Sequence, residues 1–291
     1  MPTLHTNKRQ AQRKAPPILR WLRFSFRIQS WLSTYWAARR AYRFWFVSPR
    51  YAEPPRELAW RQQAKQSWLD HPHGPLAVYQ WGEGSETILL SHGWSGRGSQ
   101  LGAFAEPLVK AGYRVIALDA PGHGQSPGKS TTLFKISEAL YAVARHYAPI
   151  KAVVAHSFGA FALAYTLNHT DMQIGKAVCI STPTDGMFLL DSFCNVLRLN
   201  TAVKQRFLHF FEEEFGADIW DRLSMQNNVR RLTLPALIIH DRGDHDVPFQ
   251  LSERLASDWP KARLHLTDGL GHRRILRNKQ VIEVVTDFIT A

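Results

Sequence analysis

From about residue 75 onward, apolar and polar positions alternate between two rhythms. Leu76–Trp81 reads as a strand closed by the turn Gly82-Glu83-Gly84, and Thr87–Ser91 is a short apolar run of the kind a buried strand needs. Residues 99–111 carry a helical period, 113–118 a strand and 131–146 a helix. Residues 152–155 form a strand that runs directly into a helix over 158–167, and 177–180 form another strand. After Thr182 the alternation stops. The next stretch, to Leu232, reads as helix and includes the aromatic-rich segment 207–215. Alternation then resumes with strand 236–240, helix 251–259, strand 263–266 and helix 281–289. Near-continuous apolar strands separated by helices predict a parallel sheet covered on both faces. Residues 183–232 are then a helical insertion covering one end of that sheet.

The first 60 residues break this rhythm. Residues 1–17 are polar and basic and end in Pro16-Pro17, the composition of a flexible tail. One helix is expected over residues 18–38. At about 100° per residue, Trp21, Phe24, Ile28, Trp31, Leu32 and Tyr35 share a broad face, with Arg20, Arg23 and Arg27 at one edge. Two readings follow. In one, the aromatic face packs on the body and the arginines are solvated. In the other, it lies on a membrane surface, with aromatics at the headgroup level and arginines meeting anionic lipid. The longest charge-free run, residues 28–38, falls far short of the roughly 20 residues a spanning helix needs. Arginines interrupt the apolar stretch, which argues against a secretory signal, while an acid-poor organelle transit peptide is a lesser option. Residues 48–56 contain three prolines and link this arm to the body.

Composition sharpens the division. The 291 residues are 45% apolar, enough for a large core and unlike a disordered chain. Two cysteines, Cys179 and Cys194, give no disulfide framework and fit a reducing, cytoplasmic location with the arm as a peripheral membrane contact. The net charge of +12 first suggests a nucleic-acid partner. Residues 1–60, however, hold 12 Lys and Arg against only Glu53 and Glu57, a net of +10, and residues 61–291 hold 24 against 22, a net of +2. The basic character belongs to the arm, which also has five of the ten tryptophans. Arginines interleaved with aromatics can serve single strands, but no recognised nucleic-acid motif accompanies them, so a nucleic-acid partner is not expected. The division expected is an arm over 1–60 and a domain over 61–291 with its insertion at 183–232.

Candidate chemistry gathers in the body. Ala155-His156-Ser157-Phe158-Gly159 follows a strand and opens a helix. A sharp strand-to-helix turn needs small residues flanking its serine and lifts the hydroxyl above the sheet edge. The bland alternative is a helix-capping serine. Two later loops supply partners. Asp241-Arg242-Gly243-Asp244-His245-Asp246-Val247-Pro248 follows strand 236–240, and Gly269-Leu270-Gly271-His272 follows strand 263–266. Ser91-His92-Gly93-Trp94-Ser95-Gly96 and Asp119-Ala120-Pro121-Gly122-His123-Gly124-Gln125-Ser126 close two earlier strands.

Taken in order across about residues 75–290, these five segments resemble the α/β-hydrolase superfamily. The resemblance implies a mostly parallel eight-stranded sheet with helices on both faces, a helical lid, and a site at the strand C-terminal ends. It implies Ser157 as nucleophile and His272 as base, in the chain order serine, acid, histidine. The acid implied is Asp244, with Asp241 and Asp246 as alternatives in the same loop. The oxyanion donors implied are the N–H groups of Trp94 and Phe158, with His92 bracing its loop. The expected activity is acyl transfer on a small-molecule acyl substrate, by default a carboxylic ester, with no metal or organic cofactor called for. A serine at the elbow argues against the aspartate-nucleophile branches but does not separate esters from thioesters, amides or carbon–carbon bonds. The apolar insertion residues Met187, Phe188, Leu189, Leu190, Phe193, Phe207, Phe210 and Phe211 suggest an acyl pocket or simply the insertion's own core. A non-catalytic binding protein recruited by its basic arm is the alternative.

Overall fold

A computed structural model describes residues 16–291; the expected tail lies outside the described residues except for its last two prolines. The strands are β1 (Lys65–Leu69), β2 (Leu76–Trp81), β3 (Thr87–Ser91), β4 (Arg114–Leu118), β5 (Ile150–His156), β6 (Lys176–Ile180), β7 (Ala236–Asp241) and β8 (Ala262–Thr267). They form one sheet in the order β1-β2-β4-β3-β5-β6-β7-β8. β2 runs antiparallel to both its neighbours and every other pairing is parallel. This is the mostly parallel eight-stranded sheet expected.

The helices are α1 (Pro17–Leu32), α2 (Thr34–Trp45), α3 (Pro55–Gln62), α4 (Ala105–Lys110), α5 (Leu133–His146), α6 (Phe158–His169), α7 (Gly186–Leu197), α8 (Thr201–Phe215), α9 (Ile219–Arg222), α10 (Met225–Val229), α11 (Gln250–Asp258), α12 (Gly271–Arg274) and α13 (Lys279–Thr290). The central strands are buried on both faces, so each reads as an unbroken apolar run. Their side chains still alternate. Leu89, Val153 and Ile238 join one core with Leu140, Leu163 and Leu255 from α5, α6 and α11. Ile88, Leu90 and Val154 join a second core on the opposite face with Leu108, Val281 and Ile289.

Several expectations need correction. β1 was not expected, because it is a short polar edge strand whose exposed side chains show no buried stripe. Residues 99–111 are a tight 3₁₀ turn over Gly98–Phe104 followed by α4, not one helix. The single helix expected over 18–38 is two. Ser33 is extended, with φ −161° and ψ 113°, and its hydroxyl accepts from Trp36 N–H, capping α2.

The two helices also settle which face docks. α1 turns Leu19, Leu22 and the buried Phe26 toward the body. The broad aromatic face read as the packing face stays open: Trp31 is 85% exposed, Leu32 68% and Phe24 61%. α2 packs on α8. Trp45 sits 5.3 Å from the Phe193 ring and 5.8 Å from Phe207, and Phe46 stacks on Phe211 at 5.9 Å. The insertion forms α7 to α10, with Asp185, Asn200 and Ser224 capping three of its helices. Its phenylalanines thus build a ring cluster shared with the arm.

Candidate active site

β5 ends at the buried His156, and the chain turns at Ser157 into α6. Ser157 has φ 52° and ψ −121°, a conformation that costs a non-glycine residue about 1–3 kcal/mol. The turn is held by Ser157 N–H donating to Ile180 O at 2.8 Å. Gly159 leaves no alternative at its position: a Cβ there would lie 2.5 Å from His92 O and 2.6 Å from Ser91 O. Ala155 is fully buried in the core, so a small side chain fits at that flank.

His272 and Asp244 reach this serine from two later loops. His272 Nε2 lies 3.1 Å from Ser157 Oγ, and Nδ1 lies 2.7 Å from Asp244 Oδ2. With Asp244 ionised, Nδ1 carries the proton and Nε2 is left as acceptor for the serine hydroxyl. Asp244 Oδ1 accepts from Asp246 N–H at 2.8 Å and Val247 N–H at 3.0 Å, while His240 Nε2 stands 3.3 Å from Oδ2. Burial alone would raise the Asp244 pKa. The hydrogen bonds from His240 and His272 and from Val247 N–H outweigh it and hold the carboxyl well below the usual range.

The other two candidate acids do different things. Asp241 accepts from Gly243 N–H at 2.9 Å, Thr267 Oγ1 at 2.8 Å and Leu270 N–H at 2.9 Å. It ties the acid-bearing loop to the loop that carries His272. Burial opposes ionisation of Asp241, but the N–H donors of Gly271 and Leu270 lower its pKa. Asp246 is exposed at the mouth of the cavities described below.

Two histidines support the loops. His92 Nδ1 donates to Gly93 O at 2.8 Å, and its Nε2 accepts from Ala120 N–H at 3.1 Å, tying two loops together. Burial drops its pKa to about 4, so it stays neutral. His156 was not singled out from the sequence. It is buried under His272, rings 4.7 Å apart, and its Nε2 donates to the His272 carbonyl at 2.9 Å. Burial holds its pKa well below the usual histidine value. Its place as the middle residue before Ser157 was the available signal.

Of the expected donors, Phe158 follows the serine in the chain and Trp94 lines the same cavities as Ser157. Phe158 opens α6, so its N–H has no intrahelical acceptor. Trp94 N–H donates to no backbone carbonyl among the described residues. Their rings meet edge-on at 5.1 Å. The turn at 119–126 is architecture: buried Asp119 accepts from Gly98 N–H at 2.7 Å, Gln125 N–H at 2.8 Å and Tyr79 OH at 2.7 Å. Gly124 folds over it with φ 48°, where a Cβ would lie 2.1 Å from the carboxyl carbon.

Two cavities meet at Ser157 and Trp94. One, of about 260 Å³, is walled by Trp45, Phe46, Phe134, Phe158, Leu189 and Phe193. The other, of about 510 Å³, has His272 on its lining together with Arg56, Arg97, Arg273 and Arg277. Among the described residues no group of three His, Cys, Asp or Glu could hold a metal ion, and no helix is long and apolar enough to cross a membrane.

Residues 88–284 match the sequence pattern of the alpha/beta hydrolase family. The chain is 26% identical over 242 residues to a 2-hydroxy-6-oxononadienedioate/2-hydroxy-6-oxononatrienedioate hydrolase of Cupriavidus pinatubonensis, covering 66% of this chain and 82% of that protein. It is 28% identical over 242 residues to a hydrolase of the same description from Dechloromonas aromatica, with the same coverage. Among solved structures, a Pyrococcus furiosus esterase superposes with a TM-score of 0.64 at 19% identity, covering 84% of this chain and 95% of that one.

Proposed function

The chain belongs to the α/β-hydrolase family, and from that premise we propose that it is a serine hydrolase cleaving a carboxylic ester, or a related acyl compound, through an acyl-enzyme on Ser157. The observation that carries this reading is the unbroken contact from Asp244 through His272 to Ser157, at 2.7 and 3.1 Å. His272 Nε2 takes the hydroxyl proton as Ser157 Oγ attacks the acyl carbon. Asp244 keeps the ring in the required tautomer and stabilises the imidazolium. The N–H groups of Trp94 and Phe158 receive the oxyanion. His272 then protonates the leaving oxygen, the C–O bond breaks and the alcohol departs. Water follows: His272 removes its proton, the hydroxide attacks the acyl carbon, and the proton returns to Ser157 Oγ as the acid is released.

The apolar cavity suits the acyl chain, and the insertion acts as its lid. Because the curated relatives are named for hydrolysis of 2-hydroxy-6-oxononadienedioate, that compound joins esters, thioesters and amides on the substrate panel. We also place the enzyme at a membrane surface, held peripherally through residues 18–38. The exposed aromatic face of α1, the neighbouring arginines and the lack of any acid before Glu53 favour it.

A fluorophosphonate probe should label the wild-type protein and leave folded Ser157→Ala unlabelled. Absence of both labelling and p-nitrophenyl ester hydrolysis in folded wild type favours the alternative, a non-catalytic binding protein.

A further inference from the structure

We infer that the larger cavity is a binding site for an anionic group, a carboxylate by first choice, on the alcohol half of the substrate. The inference rests on Ser157 being the nucleophile and adds the chemistry of the leaving half. Arg56 comes from α3, Arg97 from the loop after β3, and Arg273 and Arg277 from the segment after β8. Three separate stretches of chain thus bring four arginines to the lining of one cavity that also touches Ser157 and His272. Among the described residues two carboxylates line it, Glu57 and Asp246.

Glu57 is buried and committed: Arg97 Nη1 bonds it at 3.2 Å and also approaches Ala52 O, while Nη2 donates to Tyr51 O at 2.8 Å. Arg97 is therefore a scaffold for the linker and not a free cation. Arg56, Arg273 and Arg277 are exposed on the rim, and none is within salt-bridge distance of a carboxylate among the described residues. The contrast with their neighbours is informative. Arg242 is held by Asp268 at 2.8 Å and Arg274 by Gly269 O at 2.7 Å. Of the four arginines on the cavity, Arg97 alone is matched, by Glu57, and Arg56, Arg273 and Arg277 have no salt-bridge partner among the described residues. Converging guanidinium groups around a cleft raise its potential and concentrate anions, and their planar forks match a carboxylate in two-point fashion.

The second cavity fixes which half is charged. Its largely apolar lining includes the hydroxyl residues Thr131, Thr132 and Ser192 and the carboxylate of Asp246 but no cationic side chain, so it offers an anion no charged partner. With Ser157 at the junction, the acyl chain fills the smaller apolar cavity and the leaving half projects into the larger cationic one. The substrate class is an ester whose alcohol carries a carboxylate.

The test is a matched pair: 4-carboxyphenyl hexanoate and its neutral isostere 4-carbamoylphenyl hexanoate, assayed on the full chain. Wild type should favour the anionic ester at least tenfold in kcat/KM, chiefly through KM, and the preference should shrink as salt rises from about 10 mM to 1 M, where the screening length falls to about 3 Å. Arg277→Gln combined with Arg56→Gln should bring the ratio toward one, and Lys at both positions should restore part of it. Disturbance of His272 lowers both esters together and leaves the ratio, so the ratio isolates the arginines. The salt series needs no variant and holds the test if one misfolds. Equal cleavage of both esters by wild type, or a preference unchanged by salt and by both substitutions, overturns the inference. Cleavage of neither, with no fluorophosphonate labelling, instead sinks the serine reading on which it depends.

Discussion

Leu89, Val153 and Ile238 in the sheet are wholly buried, and so are the residues before and after them. In α1 both tryptophans do the reverse: Trp21 and Trp31, with Phe24, stay in the open while Leu19, Leu22 and Phe26 dock. Both regions are rich in apolar residues, so hydrophobicity alone does not separate them. A strand covered on both faces has no outward side to mistake. A helix apolar around most of its circumference carries more than one stripe that could face the core, and its sequence does not say which one meets a partner. α8 decides it, by presenting Phe207 and Phe211 to α2 and leaving α1 to pack with its thinner stripe.

The sharpest break between the regions should appear in chemistry. Asp244→Asn should lower kcat by roughly 10⁴, as loss of the orienting carboxylate does in triads of this geometry. Asp246→Asn, in the same loop but exposed, should change kcat less than about threefold. Comparable losses from both would mean that the acid has been assigned to the wrong residue. No substitution confined to the outer face of α1 should approach the first effect in an assay with a soluble ester.

The inner face of the arm should matter through stability and pocket shape. Phe207 is fully buried where arm and insertion meet. Phe207→Ala should cost about 3–5 kcal/mol, read by denaturant unfolding. A loss below 1 kcal/mol would show that the arm leaves the insertion in solution. Trp45 and Phe46 wall the apolar cavity, so Trp45→Ala should also reduce activity on hexanoyl more than on acetyl esters.

A smaller effect is expected at Asp241, which ties two body loops. Asp241→Asn keeps the shape but removes the charge behind three hydrogen bonds, and should destabilise by about 1–3 kcal/mol. It should lower kcat more than KM rises, because it loosens the loop that aims His272. Unchanged kcat with lower stability would leave Asp241 a purely structural tie.

What could be read from the chain follows from range. Ser157, Asp244, His272, Trp94 and Phe158 could be nominated by resemblance to the family's motifs, which is legible because each motif is a short segment where a turn, a strand end and small residues coincide locally. The tie made by Asp241 and the support of His156 under His272 could not, since their partners lie 26 and 116 positions away. Asp241 looked like a weaker rival for the acid because aspartates in one loop share the same local signature. β1 escaped notice because a polar edge strand has no periodic stripe. The apolar cavity was half visible: the insertion's phenylalanines were suspected, but Trp45 and Phe46 come from an arm whose only link to the site is tertiary.

The outer face of α1 should give the smallest change in stability and the clearest separation of the two regions. Phe24 and Trp31 are 61% and 85% exposed, so Phe24→Ser with Trp31→Ser removes little packing and should move stability within about 0.5 kcal/mol per site. On a bilayer the same side chains would be buried at the headgroup level, beside Arg20 and Arg27, which no acid of the arm neutralises. Sedimentation with vesicles containing phosphatidylglycerol should therefore pull down the wild-type chain, and vesicles of phosphatidylcholine alone should take less. The double variant should stay in the supernatant while hydrolysing a soluble ester as wild type does. Equal pelleting of variant and wild type would remove this face as the anchor. A wild-type protein that ignores both vesicles but runs as a dimer that the variant loses would assign the face to a second copy of the chain.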